Sequence, residues 1–298
     1  MSKKILIWII IAAMALTACA KDNAKPVENV GRESEFRKDL PELPYDPATL
    51  VEYIEENLDK VEQDKRELYL FVLEDSLVDN LGLVSSITQK EEVVNILKGY
   101  DEKDQILEED LKTIKSDSVR NELQKLYDMK YKLYKRKSGF QITIDYEKLA
   151  QMAGDNESLK QYFMIKNAEN INPSLDEGVV MISPSELLAR LNTTENFLMN
   201  NSDFKKANEF LSRYQSWMFL LLSGTNLSPV VKDGDLTSEY RELYENLSPV
   251  SIADNTFRRG MELIEDNNFI FDDELMAKIR NIVTNSNYEL KERMEMTK

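Results

Sequence analysis

The chain has 298 residues, a formal net charge of −16, no histidine and a single cysteine. Lacking histidine, it has neither the commonest general base nor the commonest transition-metal ligand, and Ser-His-Asp and Cys-His catalysis are excluded with them. The excess of 54 Asp and Glu over 38 Lys and Arg repels nucleic acid and anionic headgroups, so no nucleic-acid partner is expected.

The first 18 residues read as a secretory signal. Lys3 and Lys4 precede an apolar run over residues 5–16, which then meets the small-residue stretch Leu16-Thr17-Ala18-Cys19. The run is shorter than the ~20 apolar residues a membrane-spanning helix needs. These four residues resemble the lipobox of bacterial lipoproteins, in which the cysteine receives a diacylglyceryl group and becomes the mature N-terminus. The resemblance covers about the first 20 residues. It implies a chain held on the extracytoplasmic face of the cell membrane through Cys19. A lone thiol has no disulfide partner in an oxidising compartment, and a lipid attachment point needs none. Residues 19–46 follow as an expected tether with Pro26, Pro41 and Pro44, mixed charge and few apolar residues. Within it, Phe36, Leu40 and Leu43 are the residues able to dock on a folded body.

From Pro47 the pattern is helical. Asp46-Pro47 is a start signal, and Leu50, Ile54, Leu58 and Val61 recur at helical spacing. A second run from Leu68 to Leu81 is expected to stop at Gly82. Thr88-Gln89-Lys90-Glu91 reads as a capping box. Leu111, Ile114, Leu123, Leu126 and Tyr127 continue the helical spacing. Residues 139–144 alternate with period two and include β-branched residues, so an extended segment is expected near 139–146, with residues 179–182 as a pairing partner.

Ser183-Pro184-Ser185-Glu186 opens the next helix, and Ser202 is expected to cap the one after it. That helix is apolar on more than one side, which places it at the centre of a core and ends it at Gly224. Helices over 252–267 and 273–296 close the chain. Nine glycines are few for a sheet-rich fold. The expected class is all-α, an antiparallel multi-helix bundle or irregular helical array, with regions 47–138 and 139–298. No repeat of 34 or 40 residues recurs.

Candidate chemistry is sparse. Ser202-Asp203-Phe204-Lys205 matches S-x-x-K, but no Lys-Thr-Gly accompanies it, and a capped helix start explains it more simply. Asp233 and Asp235 flank Gly234 and are the candidate calcium ligands, without EF-hand spacing. Asp272 reads as a helix cap. Lys130, Lys132, Lys135, Arg136 and Lys137 cluster with Tyr131 and Tyr134. They are read as basic residues at a helix C-terminus, with a polyanion patch as the functional alternative. No catalytic residue, resident metal or cofactor is expected.

The expectation is therefore a non-catalytic lipoprotein. Its helical body would bind an envelope protein or wall polymer. The Lys-, Asn-, Ile- and Glu-rich composition suggests a low-GC, Gram-positive source, and residues 130–222 are similar in style to helical surface proteins of such bacteria. Two other classes stay open: a substrate-binding lipoprotein of a transporter, which is usually two α/β lobes with glycine-rich turns, and a carboxylate-based wall hydrolase.

Overall fold

Short-range capping fixes most helix starts in the computed structural model, which describes residues 34–297. In chain order the elements are α1 (Pro47–Asn57), α2 (Gln63–Ser85), α3 (Glu91–Leu97), β1 (Gln105–Ile106), α4 (Asp117–Asp128), β2 (Tyr131–Arg136), β3 (Gly139–Ile144), α5 (Tyr146–Met152) and α6 (Glu157–Ile171). They continue with β4 (Leu175–Asp176), β5 (Val179–Val180), α7 (Pro184–Asn200), α8 (Ala207–Ser223), β6 (Val231–Lys232), β7 (Asp235–Leu236), α9 (Ser238–Asn246), α10 (Ile252–Asp266) and α11 (Asp273–Met296). The body is all-α, with the strands confined to three small antiparallel sheets among the described residues.

Asp46 caps α1 by accepting from Thr49 N at 2.9 Å, with Pro47 in the first turn. Ser183 does the same for α7 through Glu186 N at 3.2 Å, and Asp272 for α11 through Leu275 N at 2.8 Å. Ser251 and Asp254 form a reciprocal capping box at α10. Asp145 and Asn156, not singled out in the sequence, cap α5 and α6.

Other start and stop signals are overridden. Gly82 lies inside α2, which runs on to Ser85 because Val84 still has core to bury. Thr88 sits in a 3-10 turn over Ser86–Gln89, and Lys90 precedes α3 without a side-chain cap. Ser202 caps nothing: α8 begins at Ala207 behind Lys206, whose side chain is committed elsewhere.

The basic cluster is a strand, not a helix end. β2 pairs antiparallel with β3 from Tyr131↔Ile144 to Arg136↔Gly139, and β1 extends the sheet on the other edge of β2. Aromatic and β-branched residues outweigh the lysines here because both strands have core to fill: Tyr131, Leu133, Phe140, Ile142 and Ile144 are all buried. Tyr131 donates to Leu77 O at 2.8 Å, fixing the hairpin on α2. Residues 179–182 are not its partner, since Val179–Val180 pairs with Leu175–Asp176. The expected boundary at 138/139 falls in the turn of the β2–β3 hairpin, and the chain from Ser34 onward clusters as one unit.

The order helix, β-hairpin, helix recurs three times: α4–β2β3–α5, α6–β4β5–α7 and α8–β6β7–α9. The two shorter hairpins turn through Glu177-Gly178 and Asp233-Gly234, all four residues at positive φ, as a type I′ hairpin loop requires. Helices α10 and α11 pack on each other and on α7 and α8.

Two helices are central. In α2 the consecutive residues Leu70, Phe71, Val72 and Leu73 are all fully buried, and α8 buries Phe210, Leu211, Tyr214, Trp217, Met218, Leu221 and Leu222. Residues 34–46, expected within the tether, dock on this core: Glu35–Asp39 forms a 3-10 turn, and Phe36, Leu40 and Leu43 are buried. Arg37 donates to Leu43 O at 2.9 Å and lies over the Tyr45 ring, folding the segment back on itself.

Candidate functional site

The sequence candidates scatter. Cys19 lies outside the described residues. Asp233 lies in the β6–β7 turn and Asp235 opens β7, where its carboxylate accepts from Leu236 N at 2.8 Å and pairs with Arg241. Among the described residues no group of three or more His, Cys, Asp or Glu side chains could hold a metal ion, and no helix is long and apolar enough to cross a membrane.

The five basic residues do not form one patch, because alternate strand residues point to opposite faces. Lys132 is tied to Asp145 at 2.9 Å and Glu147 at 2.5 Å. Burial works against its charge, but these two carboxylates outweigh that and hold the ammonium above its ordinary pKa. Lys135 bonds Asp101, Arg136 bonds the Asn170 carbonyl, and Lys137 is exposed in the turn.

Lys130 reaches a cleft. It precedes β2 at φ 66, in left-handed backbone that a lysine rarely adopts. Its Nζ lies 2.5 Å from Glu55 Oε1. The cleft, about 570 Å³, is lined by Glu55 of α1, Asp59 just after it, Arg66 from α2, Lys130, Lys148 from α5, and Gly154. Arg66 Nη2 donates to Leu58 O at 3.2 Å and Asp59 Oδ1 at 2.9 Å. Lys148 pairs with Glu108 at 3.1 Å. Hydrogen bonds from Gln124 and Lys148, with the charges of Lys148 and Lys130, hold Glu108 below the usual carboxylate range despite partial burial. Sequence reading found Lys130 but missed Arg66 and Lys148, which no local pattern links to it.

A second cluster is centred on a buried carboxylate. Glu74 of α2 has no exposed surface, pairs with Lys166 of α6, and lies 2.7 Å from Lys206 Nζ. Tyr162 OH stands 2.7 Å from Glu74 Oε2 and 2.9 Å from Glu209 Oε2, while Lys166 donates to the same hydroxyl at 3.1 Å. The phenol has one proton for two carboxylates, so it serves one at a time. Burial first, and then the two glutamate charges, push its own pKa far up, which keeps it neutral. Lys206 also holds Asp75 at 2.6 Å, and Arg213 approaches Glu209 at 3.7 Å. Three cations therefore balance three carboxylates. The aromatic rings of Phe71, Phe204 and Phe210 close around Tyr162. This arrangement joins α2, α6 and the start of α8 through charge.

A third feature is a groove of about 470 Å³ between α6 and α7, floored by Phe197 and Trp217 and edged by Gln161, Met164, Arg190 and Asn196. Trp217 Nε1 donates to Ser174 Oγ at 3.1 Å, and Arg190 is clamped by Glu169 and Glu186 at 2.8 and 2.6 Å.

No protein-family profile, curated protein or solved structure matches the chain.

Proposed function

We propose that this protein is an extracytoplasmic lipoprotein, anchored to a bacterial cell membrane through diacylglyceryl-Cys19. Its all-α body acts without catalysis as an interaction or scaffold module for an envelope protein or a cell-wall component. The observation that carries the reading is Leu16-Thr17-Ala18-Cys19 behind a short basic and apolar leader, holding the only thiol in the chain. Two acyl chains on one residue supply the stable anchoring that a single chain does not.

The body fits that role. Residues 20–33 can reach at most about 50 Å when fully extended, so the docked segment that begins at Ser34 works within that distance of the bilayer. The acidic surface resists collapse onto anionic headgroups. Interior carboxylates are engaged by lysine, tyrosine or backbone groups in structural contacts, as at Glu74 and Glu195. An all-α body favours a scaffold over the two α/β lobes usual for transporter receptors.

Growing bacterial cells that express the chain and are fed an alkyne-tagged fatty acid should label the wild-type protein and not Cys19→Ser, which should leave the membrane fraction. An unlabelled wild-type protein refutes the anchor. Cross-linking in intact cells should then recover one envelope protein or wall fragment reproducibly, and recovery of lipid alone counts against the scaffold role.

A further inference from the structure

We propose that the cleft between Arg66, Lys130 and Lys148 binds a phosphate-bearing anion. This goes beyond the lipoprotein reading and stands whether or not Cys19 is acylated.

The argument begins with an asymmetry of burial. The Lys130 side chain is 10% exposed and its partner Glu55 is 50% exposed; Arg66 is 19% exposed and its partner Asp59 is 93% exposed. The cations are set into the wall, and their carboxylates stand at the solvent side. An exposed carboxylate on a rotatable side chain contributes little as a fixed partner. It can swing away when a stronger anion arrives.

Backbone geometry holds the cations where they are. Lys130 takes a left-handed conformation at φ 66, which puts its side chain beside Glu55 rather than on either face of β2. Gly154 has φ +63, and a Cβ there would collide with Arg66 Nη1, so only glycine leaves the guanidinium its place. Left-handed non-glycine backbone is a feature that functional sites concentrate.

The donors match phosphate. Arg66 gives Nη2 to Leu58 O and to the exposed Asp59 Oδ1, so release of Asp59 frees an edge of its planar fork for a two-point contact with phosphate oxygens. Lys130 and Lys148 add two point charges from separate elements, which suits a tetrahedral phosphate oxyanion better than a planar carboxylate. Three convergent cations also run against the −16 charge of the chain. A soluble phosphomonoester, a wall phosphodiester and a lipid headgroup share this chemistry.

The test is titration calorimetry on the full chain in neutral detergent at low salt, with inorganic phosphate and glycerol phosphate as probes. Saturable binding is expected, weakened at least tenfold by Lys148→Met and by Gly154→Ala, and strengthened severalfold by Glu55→Gln. Lys148 is partly exposed, so its replacement leaves the fold intact, as circular dichroism would check. The Glu55→Gln result separates the proposal from a structural ion-pair cluster, which gains no affinity for phosphate when its own carboxylate is removed. Vesicles of phosphatidylglycerol in phosphatidylcholine form the second arm. Retention beyond that on pure phosphatidylcholine vesicles, lost with Lys148→Met, assigns the phosphate to a lipid headgroup. Absence of binding in both arms, for wild type and Glu55→Gln alike, overturns the proposal, as does phosphate binding that Lys148→Met leaves unchanged.

Discussion

Glu74 and Lys206 are 132 positions apart, yet Lys206 Nζ lies 2.7 Å from Glu74 Oε2 with both side chains in the interior. The same ammonium reaches Asp75 at 2.6 Å, whose other oxygen accepts from Ser34 at 2.6 Å. One lysine thus connects the docked N-terminal segment, α2 and the start of α8. Replacing it with methionine leaves Glu74 buried with a single cation. Lys206→Met is expected to lower unfolding stability by about 3–5 kcal/mol, the usual cost of breaking a buried pair from one side. Urea denaturation followed by circular dichroism reads this directly, and an unchanged midpoint would show that Lys166 alone suffices.

Acid stability should report the same cluster. Burial alone would raise the Glu74 pKa, but the charges of Lys166 and Lys206 outweigh it and depress the carboxyl from 4.5 to about 2. A carboxyl depressed on folding contributes stability that is complete above its unfolded pKa and is lost as pH falls through its folded value. The loss should therefore occupy the interval from pH 4.5 down to about 2 and amount to about 3 kcal/mol. Denaturation midpoints across that range should fall less steeply for Glu74→Gln than for wild type, although the variant is weaker at neutral pH. Parallel curves would contradict this assignment.

Two helical glycines should respond to alanine with opposite signs. Gly82 in α2 has nothing within 4 Å of the position a Cβ would take. Gly82→Ala should therefore stabilise by about 0.5–1 kcal/mol through helix propensity. Gly260 in α10 faces Leu222 of α8 so closely that a Cβ collides with its side chain. Gly260→Ala is expected to cost about 1–3 kcal/mol from overpacking, despite the same gain in propensity. Thermal unfolding of the two variants side by side is sufficient.

The N-terminal segment should behave as part of the body. Leu40 is 1% exposed in the core, so Leu40→Ala should lose about 2–5 kcal/mol. Protease sensitivity should rise with the loss of stability. A variant as stable as wild type would mean that residues 34–46 belong to the tether after all.

Legibility followed the range of the interaction. Asp46, Ser183 and Asp272 were readable as caps because each bonds an amide three residues on. The girth of α8 was readable because its apolar residues lie on one continuous helix. Of the candidate cleft, only Lys130 was visible, as one member of a basic run. Glycine at 154 carried no signal by itself, since its role depends on Arg66, a residue far away in sequence that packs over it. The hairpin was half visible: β3 alternates cleanly, but the lysines of β2 imitate a helix end until a strand partner and a buried face are supplied.

From the residues alone came the all-α class, the extracytoplasmic address as a proposal, and the loss of histidine chemistry, since composition and short-range periodicity carry these. Tertiary structure decided where charge goes. Glu74 meets Lys166 and Lys206, and Lys130 meets Glu55, because elements far apart in the chain are brought side by side by burial of their apolar faces. Apolar burial is non-directional and names no partner in advance. Which ammonium ends beside which carboxylate is settled only when the core has closed.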